Sequence, residues 1–158
     1  MIYVVTICVL LLSIRRTVSL KHKIYDILLY SRIVRMYNEI LPGIYLGDHN
    51  SAQALDFLKC KNVKLIVNCT KDVFYDIHTN KIQVIRYTDI NSDHLFLLID
   101  QYLSKNKSVL FHCYAGLTRS ATILSEYLVH KLNISHSYAK KMIKKKRMLS
   151  LYDDKKIE

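Results

Sequence analysis

Glycine and proline are nearly absent from this sequence, with three glycines and one proline in 158 residues. In a chain so poor in residues that bend freely, the places where they do occur, Pro42, Gly43, Gly47 and Gly116, mark sites of demanding backbone geometry. No internal repeat or low-complexity tract is present, which removes repeat architectures. Acidic side chains are also scarce: 13 stand against 24 Lys and Arg, a formal net charge of +11. Such a field attracts anions and speeds their encounter without specifying a fold. Phosphoproteins, nucleic acid, phosphoinositides and anionic membrane surfaces all fit it as partners.

The four cysteines, Cys8, Cys60, Cys69 and Cys113, form no CxxC pair and no Cys/His cluster with zinc-ligand spacing. A structural metal is therefore not expected, and no cofactor is implied. At 51% apolar and 23% charged residues, the chain has the composition of one ordinary globular core and no need of disulfide staples. A reducing compartment, the cytoplasm, fits best.

A long apolar run is missing too. Met1 to Ile14 (MIYVVTICVLLLSI) falls short of the roughly 20 residues that span a bilayer as a helix. Its basic residues, Arg15 and Arg16, follow the run, whereas a signal peptide carries them before it. Three readings stay open: a helix or strand packed on the domain or a partner, a membrane anchor, and a cleaved signal. If it anchors, Arg15 and Arg16 hold the following domain on the cytosolic side.

The remaining pattern is regular. Residues 20–37 have helical spacing, so residues 1–37 form an apolar segment with an amphipathic helix, and residues 38–158 form the main domain. Ile40-Leu41 and Ile44 to Gly47 read as two strands joined at Pro42-Gly43. Ser51 to Lys59 reads as a helix with Ser51 as N-cap. Strands follow at Lys64–Asn68 and Ile82–Tyr87, a helix near His94–Ser104 and a strand at Ser108–Phe111. Helices close the chain near Arg119–Leu132 and Ser135–Lys146. Strands alternating with helices of this length predict an α/β fold, a mostly parallel central sheet flanked by helices on both faces.

The strand at Ser108–Phe111 runs straight into His112-Cys113-Tyr114-Ala115-Gly116-Leu117-Thr118-Arg119-Ser120, and a helix begins there. A helix N-terminus exposes unpaired N–H groups and the positive end of its dipole. A tight loop of successive amides adds a concave anion nest. A cysteine at its base has its thiolate stabilised. Arg119 can fold its planar fork over the rim and hold two phosphoryl oxygens. Gly116 lets the loop turn where a side chain would block the anion. A buried inert cysteine, a surface arginine and a turn glycine are each ordinary alone. Five specified residues in one strand–loop–helix context are not explained that way.

His-Cys-x-x-Gly-x-x-Arg-Ser resembles the phosphate-binding loop of the cysteine-based protein tyrosine phosphatases. Cys-Tyr-Ala-Gly-Leu-Thr-Arg-Ser is similar to that of their small dual-specificity branch. Ile40 to Gly47, Ala52 and KLIVNCT resemble that branch's opening strands and helix, and Ser135 to Arg147 its penultimate helix. The resemblance covers residues 38–147. It implies that Cys113 attacks phosphorus and becomes a phosphocysteine. The amides from Tyr114 through Ala115, Gly116, Leu117 and Thr118 to Arg119 would hold the equatorial oxygens. Ser120 would hydrogen-bond the sulfur, and His112 would support the loop from behind. Phosphorylated proteins are the implied substrates, with RNA 5′ phosphates or phosphoinositides as the alternative and a catalytically weak phosphate-reading module as the third.

The sequence departs from the family pattern at the general acid, an aspartate usually some thirty residues before the cysteine. Here the candidates lie nearer. Asp93 is favoured by the spelling around it, while Asp89, directly after the strand, is favoured by geometry and would leave Asp93 as a helix N-cap. The family's C-terminal proline–asparagine turn and further helix have no counterpart before Glu158, which implies a C-terminally short domain. Cys69 resembles the partner cysteine of a reversible disulfide in some members, against an inert core residue. Lys140, Lys141, Lys144, Lys145, Lys146 and Arg147 form a basic run opposite Tyr138, Met142 and Ile143, either a solvated face or a docking strip for polyanions.

Overall fold

The computed structural model describes residues 35–71 and 81–150. The apolar segment 1–14, nearly all of the helix expected over 20–37 and the last eight residues lie outside them. A compact unit begins at Met36. Tyr37, the last residue of that expected helix, is the first of strand β1.

Strands β1 (Tyr37–Leu41) and β2 (Ile44–Gly47) form an antiparallel hairpin. Pro42 starts its turn and Gly43 completes it at φ +76°, a left-handed conformation that costs glycine little. Strands β3 (Val63–Asn68), β4 (Gln83–Arg86) and β5 (Ser108–His112) are parallel to one another and to β2, in the order β1-β2-β5-β3-β4. The sheet is thus mostly parallel, with β5 at its centre and buried at every position.

Alternation along the strands sends side chains to two cores. Leu46, Leu65, Val67, Val109 and Phe111 face helices α2 (Ser92–Ser104), α3 (Arg119–Leu132) and α4 (His136–Lys146). Tyr45, Ile66 and Leu110 face helix α1 (Leu55–Cys60) on the other side, where Tyr37 stacks on Phe57 with ring centroids 3.7 Å apart. Each fully buried Leu, Ile, Val or Phe contributes roughly 1.5–3 kcal/mol. Across the first face, Tyr127 of α3 donates to Asp100 of α2 at 2.7 Å, and Lys131 pairs with the same oxygen at 2.8 Å.

Two sequence expectations need correction. The helix expected over Ser51–Lys59 is a 3₁₀ turn, Ser51–Gln53, followed by α1 from Leu55, and Ser51 is no N-cap. Its hydroxyl donates back to the Asp48 carbonyl at 2.6 Å, and its amide donates to the Asp48 carboxylate at 2.8 Å, so both groups close a turn instead of starting a helix. In α4 the buried residues are Ala139 and Ile143, whereas Tyr138 is 57% exposed. Asn62, Asn106 and Asn133 lie just past α1, α2 and α3, all with φ between 50° and 54°. Asparagine thus fills the left-handed helix-ending position that glycine commonly takes.

Candidate active site

Strand β5 delivers Cys113 to the bottom of a tight loop, and α3 begins six residues later at Arg119. Cys113 is 4% exposed. Ser120, fully buried in the first turn of α3, donates its hydroxyl to Cys113 Sγ at 3.2 Å. Arg119 itself is exposed at the rim. No side chain caps the start of α3. A helix start with no side-chain cap offers N–H groups to an anion.

The carbonyls of Cys113, Tyr114, Ala115 and Gly116 each have a donor. His112 donates from Nδ1 to the Cys113 carbonyl at 3.3 Å. Burial pushes the His112 pKa down to about 4, so the ring is neutral at physiological pH, a support and not a cation. His49, just past β2, donates its amide (3.1 Å) and its Nδ1 (3.0 Å) to the Tyr114 carbonyl, and its ring stacks on that of Tyr114 at 4.5 Å. Arg147, at the end of α4, donates to the carbonyls of Ala115 and Gly116. Leu117 and Thr118 complete the loop, both half-buried, and the Thr118 carbonyl accepts from Thr122 inside α3.

Gly116 cannot be another residue. Its φ is +65°, and a Cβ there would lie 2.3 Å from the Gly47 carbonyl oxygen at the end of β2. The loop and β2 are in backbone contact.

The acid candidates sit on another arm. Asp89 ends a 3₁₀ turn, Tyr87–Asp89, and accepts from the Thr88 hydroxyl at 3.0 Å. Asp93 lies in the first turn of α2; the N-cap is Asn91, whose side chain accepts from the Asp93 amide at 2.8 Å. Asp93 is therefore not the N-cap expected for it should Asp89 be the acid; which of the two aspartates gives the proton is a separate question. Both carboxylates are exposed. Cys69 follows β3, and its amide donates to the His112 carbonyl at 2.9 Å, beside the Cys113 strand. Burial, then the charge of Cys113, pushes its thiol well up, so it stays protonated.

Arg147, grouped by sequence with the solvated lysines, is 4% exposed and belongs to the loop instead. Its signal was positional. Ala139, Ile143 and Arg147 follow at intervals of four, one face of one helix, and the first two are fully buried. His49 carried no such mark.

Central strand, buried cysteine, tight loop and a helix opened by arginine define a cysteine-based phosphatase of α/β fold. The chain belongs to the dual specificity phosphatase family, whose catalytic-domain model matches residues 44–153. It is 33% identical over 119 residues to human dual specificity protein phosphatase 9, covering 69% of this chain and 31% of that protein. It is 34% identical over 127 residues to a protein of Amsacta moorei entomopoxvirus described as a tyrosine-protein phosphatase, covering 73% of this chain and 76% of that one. The chain therefore spans about a third of the human relative and most of the viral one. Among solved structures, PTPMT1 in complex with PI(5)P has a TM-score of 0.62 at 21% identity, over 73% of this chain and 86% of that one, a likeness of fold.

Proposed function

We propose that this protein hydrolyses phosphotyrosine, together with phosphoserine and phosphothreonine, in proteins of the cytoplasm. The observation that carries the reading is the buried Cys113 sulfur, with the Ser120 hydroxyl 3.2 Å away, beneath a loop that opens onto an uncapped helix start. Cys113 thiolate attacks phosphorus, an S–P bond forms, and the P–O bond to the substrate breaks. Asp93, or Asp89 in its place, supplies the proton that the leaving oxygen takes. Water then attacks phosphorus, the same carboxylate accepts its proton, and the S–P bond breaks with its electrons returning to sulfur. The Ser120 hydroxyl stabilises the departing thiolate. Loop amides and Arg119 hold the charge of the equatorial oxygens throughout.

The excess of basic residues and a fold shared with a protein bound to PI(5)P support phosphoinositides as a second substrate class. One panel tests both: an aryl phosphate, phosphopeptides, a phosphoinositide and 5′-triphosphate RNA, each with wild-type protein and with Cys113→Ser. Phosphopeptide turnover lost in Cys113→Ser is the expected result. Turnover of lipid or RNA alone would overturn the protein substrate, and no turnover of anything would overturn the enzyme.

A further inference from the structure

His49, two residues beyond β2, ties itself to the loop with a side chain that titrates. It meets Tyr114, the residue that follows the nucleophile. Its amide donates to the Tyr114 carbonyl at 3.1 Å and its Nδ1 at 3.0 Å. The two rings stack with centroids 4.5 Å apart and planes 16° from parallel. A carbonyl can only accept, so the ring carries its proton on Nδ1, and Nε2 is the nitrogen that takes a second one. Both residues are half-buried, so the ring is held without being sealed from water. Burial lowers the His112 pKa to about 4, and the charge of His49 is among the further causes, which places this ring close to the base of the loop.

The charged groups around that ring are of both signs. Arg119 at the start of α3 and Arg147 at the end of α4 are permanent cations on the same loop. His112 on β5 is neutral at physiological pH. On the negative side, Asp48 precedes His49 and is fully buried, with its carboxylate accepting from the Ser51 amide. Cys113 adds a charge as thiolate. The 3₁₀ turn Ser51–Gln53 brings no charge; the Gln53 side chain donates to the His49 carbonyl. A doubly charged anion in the loop tips this balance towards a protonated ring. We propose that His49 is a proton-linked binding residue of the phosphate loop: its protonated ring adds a cation beside the loop, so that anion binding takes up a proton there. The inference rests on the phosphate-hydrolysing reading above. The peptide whose carbonyl His49 holds ends in the Ala115 N–H, so the added charge is felt one peptide unit away, among the amides that face the anion. Coupling of this kind is reciprocal. The anion favours the proton on His49, and a fall in pH through the range where histidine ordinarily becomes charged tightens the hold on substrate phosphate and released phosphate alike.

A plain clasp would use the same bonds and the same stack without needing charge, so the test reads pH. Sulfate is the probe, because it keeps both charges across the window, and full-length Cys113→Ser is the parent, because it removes the thiol's own titration. Calorimetry measures sulfate affinity at about pH 5.5 and about pH 8. Repeating it in two buffers of different ionisation enthalpy counts the protons taken up on binding. The parent should bind roughly threefold to tenfold more tightly at the lower pH, with net proton uptake. His49→Asn, made in that parent, keeps an amide donor for the Tyr114 carbonyl but cannot charge. It should lose both the pH dependence and the proton uptake while binding sulfate within about twofold of the parent at the higher pH. Equal pH dependence with and without His49 would overturn the proposal and leave a clasp. Where His49→Asn does not fold, His49→Gln takes its place, and a parent that takes up no proton overturns the proposal without any second variant. A parent that binds no sulfate sinks the anion site and the phosphate-hydrolysing reading together. The expected pattern alongside a wild type that turns nothing over sinks the enzymatic reading alone.

Discussion

The two segments proposed to act on substrate, the phosphate arm and the acid arm, are built in opposite ways. In the phosphate arm, β5 is buried at every position, the sulfur has a hydroxyl donor, and the carbonyls of Cys113, Tyr114, Ala115 and Gly116 all have donors. Its helix, α3, starts without a side-chain cap. In the acid arm, the helix start is closed by Asn91, and both aspartates are exposed, Asp89 at the end of a single 3₁₀ turn and Asp93 four residues on. Holding a dianion requires a rigid, preorganised cradle, and the protein spends its packing there. Delivering a proton requires only one carboxylate near the leaving oxygen, and little of the fold constrains which one.

The sharpest break of this contrast lies in the phosphate arm. Cys113→Ser should abolish turnover while phosphate still binds, because the nest of amides persists. Arg119→Ala should lose binding and rate together, by roughly 10³–10⁵ in kcat. Steady-state kinetics on an aryl phosphate with calorimetry on inorganic phosphate distinguishes them. Turnover near wild type in Cys113→Ser would remove the nucleophile from the mechanism.

The acid arm should respond less, and selectively. Asp93→Asn is expected to slow substrates with a basic leaving oxygen by roughly 10²–10⁴ while sparing one whose leaving group needs no proton. Asp89→Asn should leave both nearly alone. The opposite pattern moves the proton donor to the 3₁₀ turn.

Burial at His112 makes the phosphate arm pH-sensitive in stability. Its pKa falls from 6.5 in the unfolded chain to about 4 in the fold. Below 6.5 the unfolded chain therefore binds the extra proton first, and stability drops as pH falls from 6.5 towards 4, by at most about 3 kcal/mol. Above 6.5 this group contributes no slope. Melting temperature measured across that window should fall in wild type and flatten in His112→Asn. Equal slopes would show that other groups govern acid unfolding.

Most of the phosphate arm was legible because its elements are set by local rules. A continuous apolar run makes β5, helical spacing makes α3, and a glycine at Gly116 marks a left-handed turn. What escaped depends on contacts across the fold. Ser51 has the identity of a helix cap, yet Asp48, three residues back, claims its hydroxyl and amide. The apolar Tyr138 stands outside and the charged Arg147 inside, because the face of α4 is set by what it meets, β1 and the loop, and not by polarity residue by residue. The acid stayed undecided since Asp89 and Asp93 are both exposed and four residues apart. Only Asp93 as a cap was settled, against that reading, by Asn91.

Helix α4 allows the finest test of the comparison, since it carries both kinds of surface. On its inner face Ala139 and Ile143 are buried in the core and Arg147, next along that face, bonds the loop, while Lys141, Lys144, Lys145 and Lys146 are exposed. Charges in solvent act at a distance and are screened, with a Debye length near 10 Å at 0.1 M salt. Replacing Lys144, Lys145 and Lys146 together with Gln leaves Arg147 and its carbonyl bonds untouched. Chemistry on a small aryl phosphate should therefore stay within about twofold of wild type at any salt concentration. If the strip steers large polyanions, their apparent affinity should fall by up to about tenfold at low salt and converge on wild type as salt rises. A loss on the aryl phosphate would mean that the outer face of α4 also sets the loop, and the division between inner and outer face would fail. No loss on the large substrate at any salt would leave the lysines as a solvated surface, the ordinary fate of a charged helix face.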